Sequence, residues 1–392
     1  MTTGPVILCL NSGSSSLKFT LYQLGEVAES VLAVGAVERI GLPEGRSWLR
    51  VGTTGVTVDE PHPAADHQAA VQHVFATLDS QQLPAPLAVG HRVVHGGADY
   101  SAPVRVEERL VEHLRQLVAY APLHMPAAIQ GIEAVMARFP DLPQVACFDT
   151  AFHRRMPELA QRFPLPRALW DSGVRRYGFH GLSYESIVAQ VGAANLARAV
   201  IAHLGNGASL SALRDGQPVE TTMGLTPTGG VMMGTRSGDL DPGVLLHLLT
   251  EAGYNPAQLA HLLQEESGLL GVSGRSPDMQ TLLERREHDH QARQAVEMFC
   301  YHLRKAIGAL TAVLGGLDTL VFTGGIGEHA APVRWDICHG LEHLGVWLDP
   351  YLNERHAAMI STPESHCIVR VVSTDEALII ARHTYNLVKE AL

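Results

Sequence analysis

The chain is short of the features that would place it outside the cell, in a membrane or on a nucleic acid. Its five cysteines (Cys9, Cys147, Cys300, Cys338 and Cys367) are scattered, with no paired spacing. That pattern excludes a zinc knuckle or a disulfide framework and suits a reducing compartment. Positive charge is scarce too. Twenty-nine Lys and Arg against 40 Asp and Glu leave a net charge of −11. A nucleic-acid partner, which needs a basic face to displace counterions, is not expected. No apolar run approaches the roughly 18 residues of a membrane span. The early "VILCL" is too short for a signal-peptide core and lacks a basic flank. A soluble, cytoplasmic protein is expected. The P-loop signature G-x-x-x-x-G-K-[ST] is missing, and no low-complexity linker divides the 392 residues.

What is present is an α/β alternation with enough apolar residues, 46%, for two substantial cores. "VILCL" predicts a buried strand, a small-residue turn follows, and "SLKFTLYQL" predicts its hairpin partner. "DHQAAVQHVFATLD", "EERLVEHLRQLVAY" and "PAAIQGIEAVMARF" carry helical periodicity. "PLAVGHRVVHGG" and "PQVACFDTAFH" predict strands running into polar residues. In the helix predicted over "RQAVEMFCYHLRKAIGALTAVLGG", Val296, Phe299, Leu303, Ile307, Leu310 and Leu314 share one face. Gly315-Gly316 would end it. "CIVRVVSTDEALIIARHTYNLVKEAL" predicts a last strand, a cap and a last helix.

The second half echoes the first. "LCLNSGSSSLKF" and "AHLGNGASLSAL" each run from an apolar strand through a small-residue turn into an alternating strand. Either alone could be a plain hairpin. As a pair in register with the halves of the chain they predict two phosphate cradles, because small residues let backbone N–H groups approach an anion. "VFTGGIGEHAA" adds a strand whose glycines open a helix, a third anion-binding geometry. Together they predict a nucleotide held between two similar domains.

The chain resembles the acetokinase family, the acetate kinases, within the superfamily that also holds sugar kinases, actin and heat-shock chaperone ATPases. The segments that carry the resemblance are "LNSGSSSLKF", "GHRVVHGG", "VACFDTAFHRRMP", "RRYGFHG", "HLGNGAS", "MMGTRSGDLDPG", "TGGIGE" and "STDEALIIAR". They span nearly the whole chain. The resemblance implies a duplicated ribonuclease-H-like (actin-like ATPase) α/β fold, its domains facing across a cleft. An N-terminal acyl-substrate and phosphate domain would cover 1–150 plus a returning C-terminal helix at about 383–392, and a nucleotide-binding domain 151–382. It further implies a homodimer, and reversible, magnesium-dependent, in-line transfer of the ATP γ-phosphoryl group to acetate, giving acetyl phosphate and ADP. Manganese would substitute for magnesium.

Residue by residue, the resemblance makes Asp149, His180 and Arg236 catalytic. Arg92, Val94, Leu123 and Pro227 would bind the carboxylate substrate. The nucleotide's phosphates would meet Lys18 and the turn His203, Leu204, Gly205, Asn206, Gly207. Its adenosine end would meet Asp278, Met279 and Gln280, then Gly325, Ile326, Gly327, Glu328 and His329. Asn11 and Glu376 would hold the metal. The chemistry agrees. Two anions must be brought together, which guanidinium forks do bidentately, and donors must meet the transferring oxygens. A carboxylic acid is already ionised at neutral pH, so Asp149 is expected to align an arginine or hold magnesium's water shell rather than act as a base.

The chain departs from the family at Gln280 (usually Arg), at His329 (usually Asn) and in "GFHGLSY" for "GFHGTSH". The alternatives are a propionate or butyrate kinase of the same family, which a Val94 pocket disfavours, and a non-catalytic actin-like nucleotide switch. A switch has no use for Arg92, His180 and Arg236. His91 and His95 are expected to be packing or hydrogen-bonding residues, and His288 and His290 part of a solvated helix face, rather than metal ligands.

Overall fold

The structure, a computed structural model, describes residues 4–25, 29–52 and 57–391. The chain separates into two compact units, Met1–Phe152 with Asp375–Leu392, and His153–Thr374. The segment returning to the first unit thus starts at Asp375, ahead of the expected 383.

Among the described residues the first unit holds eight strands: β1 (Val6–Gly13), β2 (Ser16–Leu24), β3 (Glu29–Glu38), β4 (Arg46–Val51), β5 (Val58–Pro61), β6 (Ala88–Val93), β7 (Val104–Arg105) and β8 (Gln144–Phe148). They form one sheet in the order 5-4-3-2-1-6-8-7. β1 lies antiparallel to β2 and parallel to β6, and β6 is parallel to β8. β1 is central and covered on both sides, which is why its sequence is a continuous apolar run rather than an alternating one. Leu8, Leu10 and Val89 join Val71, Val74 and Val135, from the helices His67–Ser80 and Met125–Arg138, in one core. Cys9 and Gly90, paired in register, point the other way. They meet the helix Glu376–Val388: the Cys9 thiol donates to the Ala377 carbonyl at 3.2 Å.

The second unit holds β9 (Arg198–Leu204), β10 (Ala208–Arg214), β11 (Gln217–Thr221), β12 (Thr319–Thr323) and β13 (Ile368–Val371). Their order is 11-10-9-12-13, with β9, β12 and β13 mutually parallel. The long helix His290–Leu314 packs on this sheet. Asp289 caps it, accepting from the Gln291 and Ala292 amides, and Gly315 ends it at φ 73°.

Both units therefore share one path. An antiparallel meander (β3-β2-β1 or β11-β10-β9) is extended by two parallel strands (β6-β8 or β12-β13). This is the duplicated ribonuclease-H-like order, and the sequence echo lies at the equivalent hairpins β1–β2 and β9–β10. The first hairpin is tighter than a loop-like cradle. β1 runs on through Asn11, Ser12 and Gly13, leaving Ser14-Ser15 as the turn and setting Asn11 opposite Lys18.

Candidate active site

In the first unit, Asn11, Arg92 and Asp149 stand at the C-terminal ends of three adjacent strands, or one residue beyond, because β1, β6 and β8 lie side by side. Ligands in such sheets bind beyond these ends. Arg92 forks Asp149, with Nε donating to Oδ1 at 3.1 Å and Nη2 to Oδ2 at 2.6 Å. Its Nη1 reaches Asn11 Oδ1 at 3.4 Å, and Glu376 Oε2 lies 3.6 Å from Nε. Asp149 is buried, while the Arg92 side chain is 21% exposed. Burial works against the guanidinium's charge, yet Asp149 and Glu376 outweigh it and hold the pKa above the ordinary arginine value. Glu376 is brought here by the returning helix. Asp375 caps that helix, accepting from the Leu378 amide, and also accepts a 2.6 Å hydrogen bond from Tyr22.

No three His, Cys, Asp or Glu side chains among the described residues gather as a metal cage. The donors that do gather are the Asp149 and Glu376 carboxylates and the Asn11 amide oxygen. They are hard oxygens, few in number, which fits a cation such as magnesium that takes one or two carboxylates and keeps its waters.

Val94 is buried just past β6, Leu123 is half-buried before the helix Met125–Arg138, and Lys18 is exposed on β2. His91, by contrast, is packing. It is buried and bonded to Gln144 Oε1 at 2.8 Å, and burial lowers its pKa to about 4.

In the second unit the Gly205–Gly207 turn of the β9–β10 hairpin carries the other cluster. A Cβ at Gly207 would lie 2.9 Å from Arg236 Nη2 and 3.3 Å from His180 Nε2, so two donors converge on that glycine. Arg236 is braced by donating from Nη1 to the Pro227 carbonyl at 2.7 Å, which makes Pro227 a holder of the arginine. The His180 ring stacks on His203 at 4.2 Å, and His203 Nδ1 is bonded to Ser183 Oγ at 2.8 Å.

Beside the same turn opens a cavity of about 590 Å³. Gly205, Asn206, Asp278, Met279, Gln280, Gly325, Ile326 and His329 line it, as do Pro277, Leu283, Ala330 and Pro332, which sequence reasoning missed. Of the other expected nucleotide residues, Leu204 and Gly327 lie buried behind it. Asp278 caps the helix Met279–Arg285, accepting from the Thr281 amide and hydroxyl, and these bonds keep its carboxyl below the ordinary value. Glu328 accepts from the Gly324 amide at 3.0 Å and from Ser373 at 2.6 Å, closing the glycine turn on itself.

Arg334 was also missed. It is fully buried and donates to the Gly327 and Glu328 carbonyls at 2.9 Å and to Asn353, fixing the short helix Gly324–His329. Its signal was faint, one Arg in an otherwise apolar helix face.

The profile of the acetokinase family matches residues 6–382. An acetate kinase of Rhodopseudomonas palustris is 45% identical over 97% of this chain and 98% of its own length. One of Streptomyces avermitilis is 45% identical over 98% of each. Among solved structures, the acetate kinase of Porphyromonas gingivalis aligns with a TM-score of 0.88 at 37% identity, covering 98% of this chain and all of its own. A propionate kinase of Francisella tularensis aligns at 0.91 and 35%, covering 97% and 99%. A match that runs unbroken through the segments building both clusters and the cavity makes the chain a member of the acetokinase family.

Proposed function

We propose that the chain is an acetate kinase, transferring the γ-phosphoryl group of ATP to acetate and back from acetyl phosphate to ADP. The observation that carries this reading is the convergence of Arg236 Nη2 and His180 Nε2 over Gly207, beside the cavity that opens at Gly205 and Asn206. A nucleotide seated there brings its phosphates towards two donors, as charge in transit between oxygens requires.

The roles follow from the chemistry of each group. Arg92 holds the acceptor carboxylate, and Asp149 aligns Arg92. The acceptor oxygen attacks phosphorus in line, a P–O bond to it forms, the bond to the β-phosphate oxygen breaks, and ADP leaves with that electron pair. No proton moves in this direction. Asn11 and Glu376 would hold magnesium, which when bound offsets the phosphate charge. Val94 and Leu123 would meet the acceptor's methyl group. One buried CH₂ contributes about 0.8 kcal/mol, so discrimination against propionate is modest.

A homodimer is supported by the helix Pro242–Thr250 ("PGVLLHLLT"), which has no buried residue although it is largely apolar; Leu246 is 62% exposed. Such a surface marks an association face. The cytoplasm fits five cysteines that are all buried and in no disulfide, and no described helix is long and apolar enough to cross a membrane.

The test is acyl-phosphate formation, trapped as the hydroxamate, with acetate, propionate and butyrate against ATP, GTP and pyrophosphate. Turnover led by acetate with ATP is expected. No acyl phosphate from any pair would leave the nucleotide-switch reading in its place.

A further inference from the structure

His180 enters the helix Gly181–Val191 in the left-handed region, at φ 58°. For a residue with a Cβ this costs about 1 kcal/mol or more, so its surroundings must fix it. Behind the ring, Nδ1 lies 2.8 Å from Ser209 Oγ, and Ser209 Oγ lies 2.6 Å from the Tyr184 hydroxyl. Tyr184 and Ser209 are both fully buried. Tyr184 sits one helical turn beyond His180, its amide bonded to the His180 carbonyl at 3.1 Å. Ser209 comes from β10, where it pairs with His203.

We propose that Tyr184 and Ser209 form a hydroxyl relay that sets neutral His180 as the Nε2–H tautomer, so that its proton points to the Arg236 side of Gly207. The relay rests on the reading of His180 as a donor to the transferring phosphoryl group. A phenol is a far stronger acid than an aliphatic alcohol, so within the 2.6 Å pair Tyr184 donates and Ser209 accepts. Ser209 then turns its own hydrogen to Nδ1. A nitrogen that accepts carries no proton, which leaves the proton on Nε2. The reverse order would aim a bare lone pair at phosphoryl oxygens beside Arg236. Burial also raises the Tyr184 pKa, keeping the phenol protonated.

Among the described residues, the titratable and charged groups that face His180 include Tyr184 on its own helix, His203 on β9 and Arg236 on its loop. The nearby guanidinium opposes a second positive charge on the ring, so a relay that makes the neutral form a donor is of use. Tyr184 and Ser209 act through His180 and are positioning residues.

The test uses the full chain labelled with ¹⁵N-histidine, read by two-bond ¹H–¹⁵N correlation at pH 8, with His180→Ala identifying the His180 signals. The wild type should show the Nε2–H pattern, and Tyr184→Phe and Ser209→Ala should each shift it towards Nδ1–H. Both variants should lose roughly 10-fold in kcat with KM for ATP and acetate little changed. Two variants guard against misfolding of one. A wild-type Nδ1–H signal, or an Nε2–H pattern that survives in both variants, overturns the relay. Full activity in His180→Ala instead overturns the catalytic reading beneath it, whatever the tautomer.

Discussion

Asp149 is expected to act by aligning Arg92 rather than by moving a proton. Both its oxygens are engaged by Arg92. Asp149→Asn keeps the shape but leaves a largely buried guanidinium with Glu376, at 3.6 Å, as its remaining nearby carboxylate. We expect the acetate KM to rise at least 10-fold with the ATP KM unaffected, and folding stability to fall by about 3 kcal/mol. Steady-state kinetics and urea unfolding read the two effects separately. Unchanged acetate affinity would show that Asp149 does not align Arg92. The residue types of this cluster were legible in motifs such as "HRVVHGG" and "ACFDTAFH"; their meeting was not. Asn11, Arg92 and Asp149 converge because β6 lies between β1 and β8, a strand order no local pattern contains. The Tyr184–Ser209 contact was hidden for the same reason, since it joins a helix to a strand on the far side of a hairpin.

Elements carry the site through their packing. Gly90 on β6 has no room for a side chain, because a Cβ would collide with Thr384 Oγ1 and Ile380 of the returning helix. Gly90→Ala should push that helix away and displace Glu376 at its start. A stability loss of about 1–3 kcal/mol and a raised magnesium requirement are expected, by thermal melts and by titration of activity with the metal. The exposed helix Pro242–Thr250 invites a different test. Leu246→Lys should convert dimer to monomer in sedimentation equilibrium while the fold by circular dichroism persists; a wild-type monomer would remove the homodimer. The helix His290–Leu314 was legible to its terminal glycine because its stripe repeats over about five turns from Val296 to Leu314 and Gly315 marks the stop. The strands β3 to β5 were not: β4 and β5 are short, and β5 is the edge strand with β4 next to it. Cross-strand partners hold them, including the exposed Arg46–Asp59 ion pair across β4 and β5.

For the molecule as a whole, each unit contains a buried histidine that burial holds neutral. His91 Nε2 donates to Gln144 Oε1 in the first, and His153 Nε2 to the Phe179 carbonyl in the second. Burial lowers both from 6.5 to about 4. The unfolded chain therefore binds more protons below pH 6.5, so stability is full above that pH and is lost as pH falls to 4. Each histidine contributes about 3 kcal/mol to that loss. Urea midpoints measured from pH 8 to pH 4 should fall, and His91→Gln should flatten the decline for the first unit alone. The helix Glu376–Val388 belongs to the first unit but follows the entire second unit in sequence. On the ribosome, β1 to β8 therefore emerge first yet wait, with the Cys9 and Gly90 face bare, until the second unit has been made. A chain stalled at Thr374 would hold a complete second unit while the sheet of the first still lacked its covering helix, and that waiting sheet is where a chaperone has most to protect.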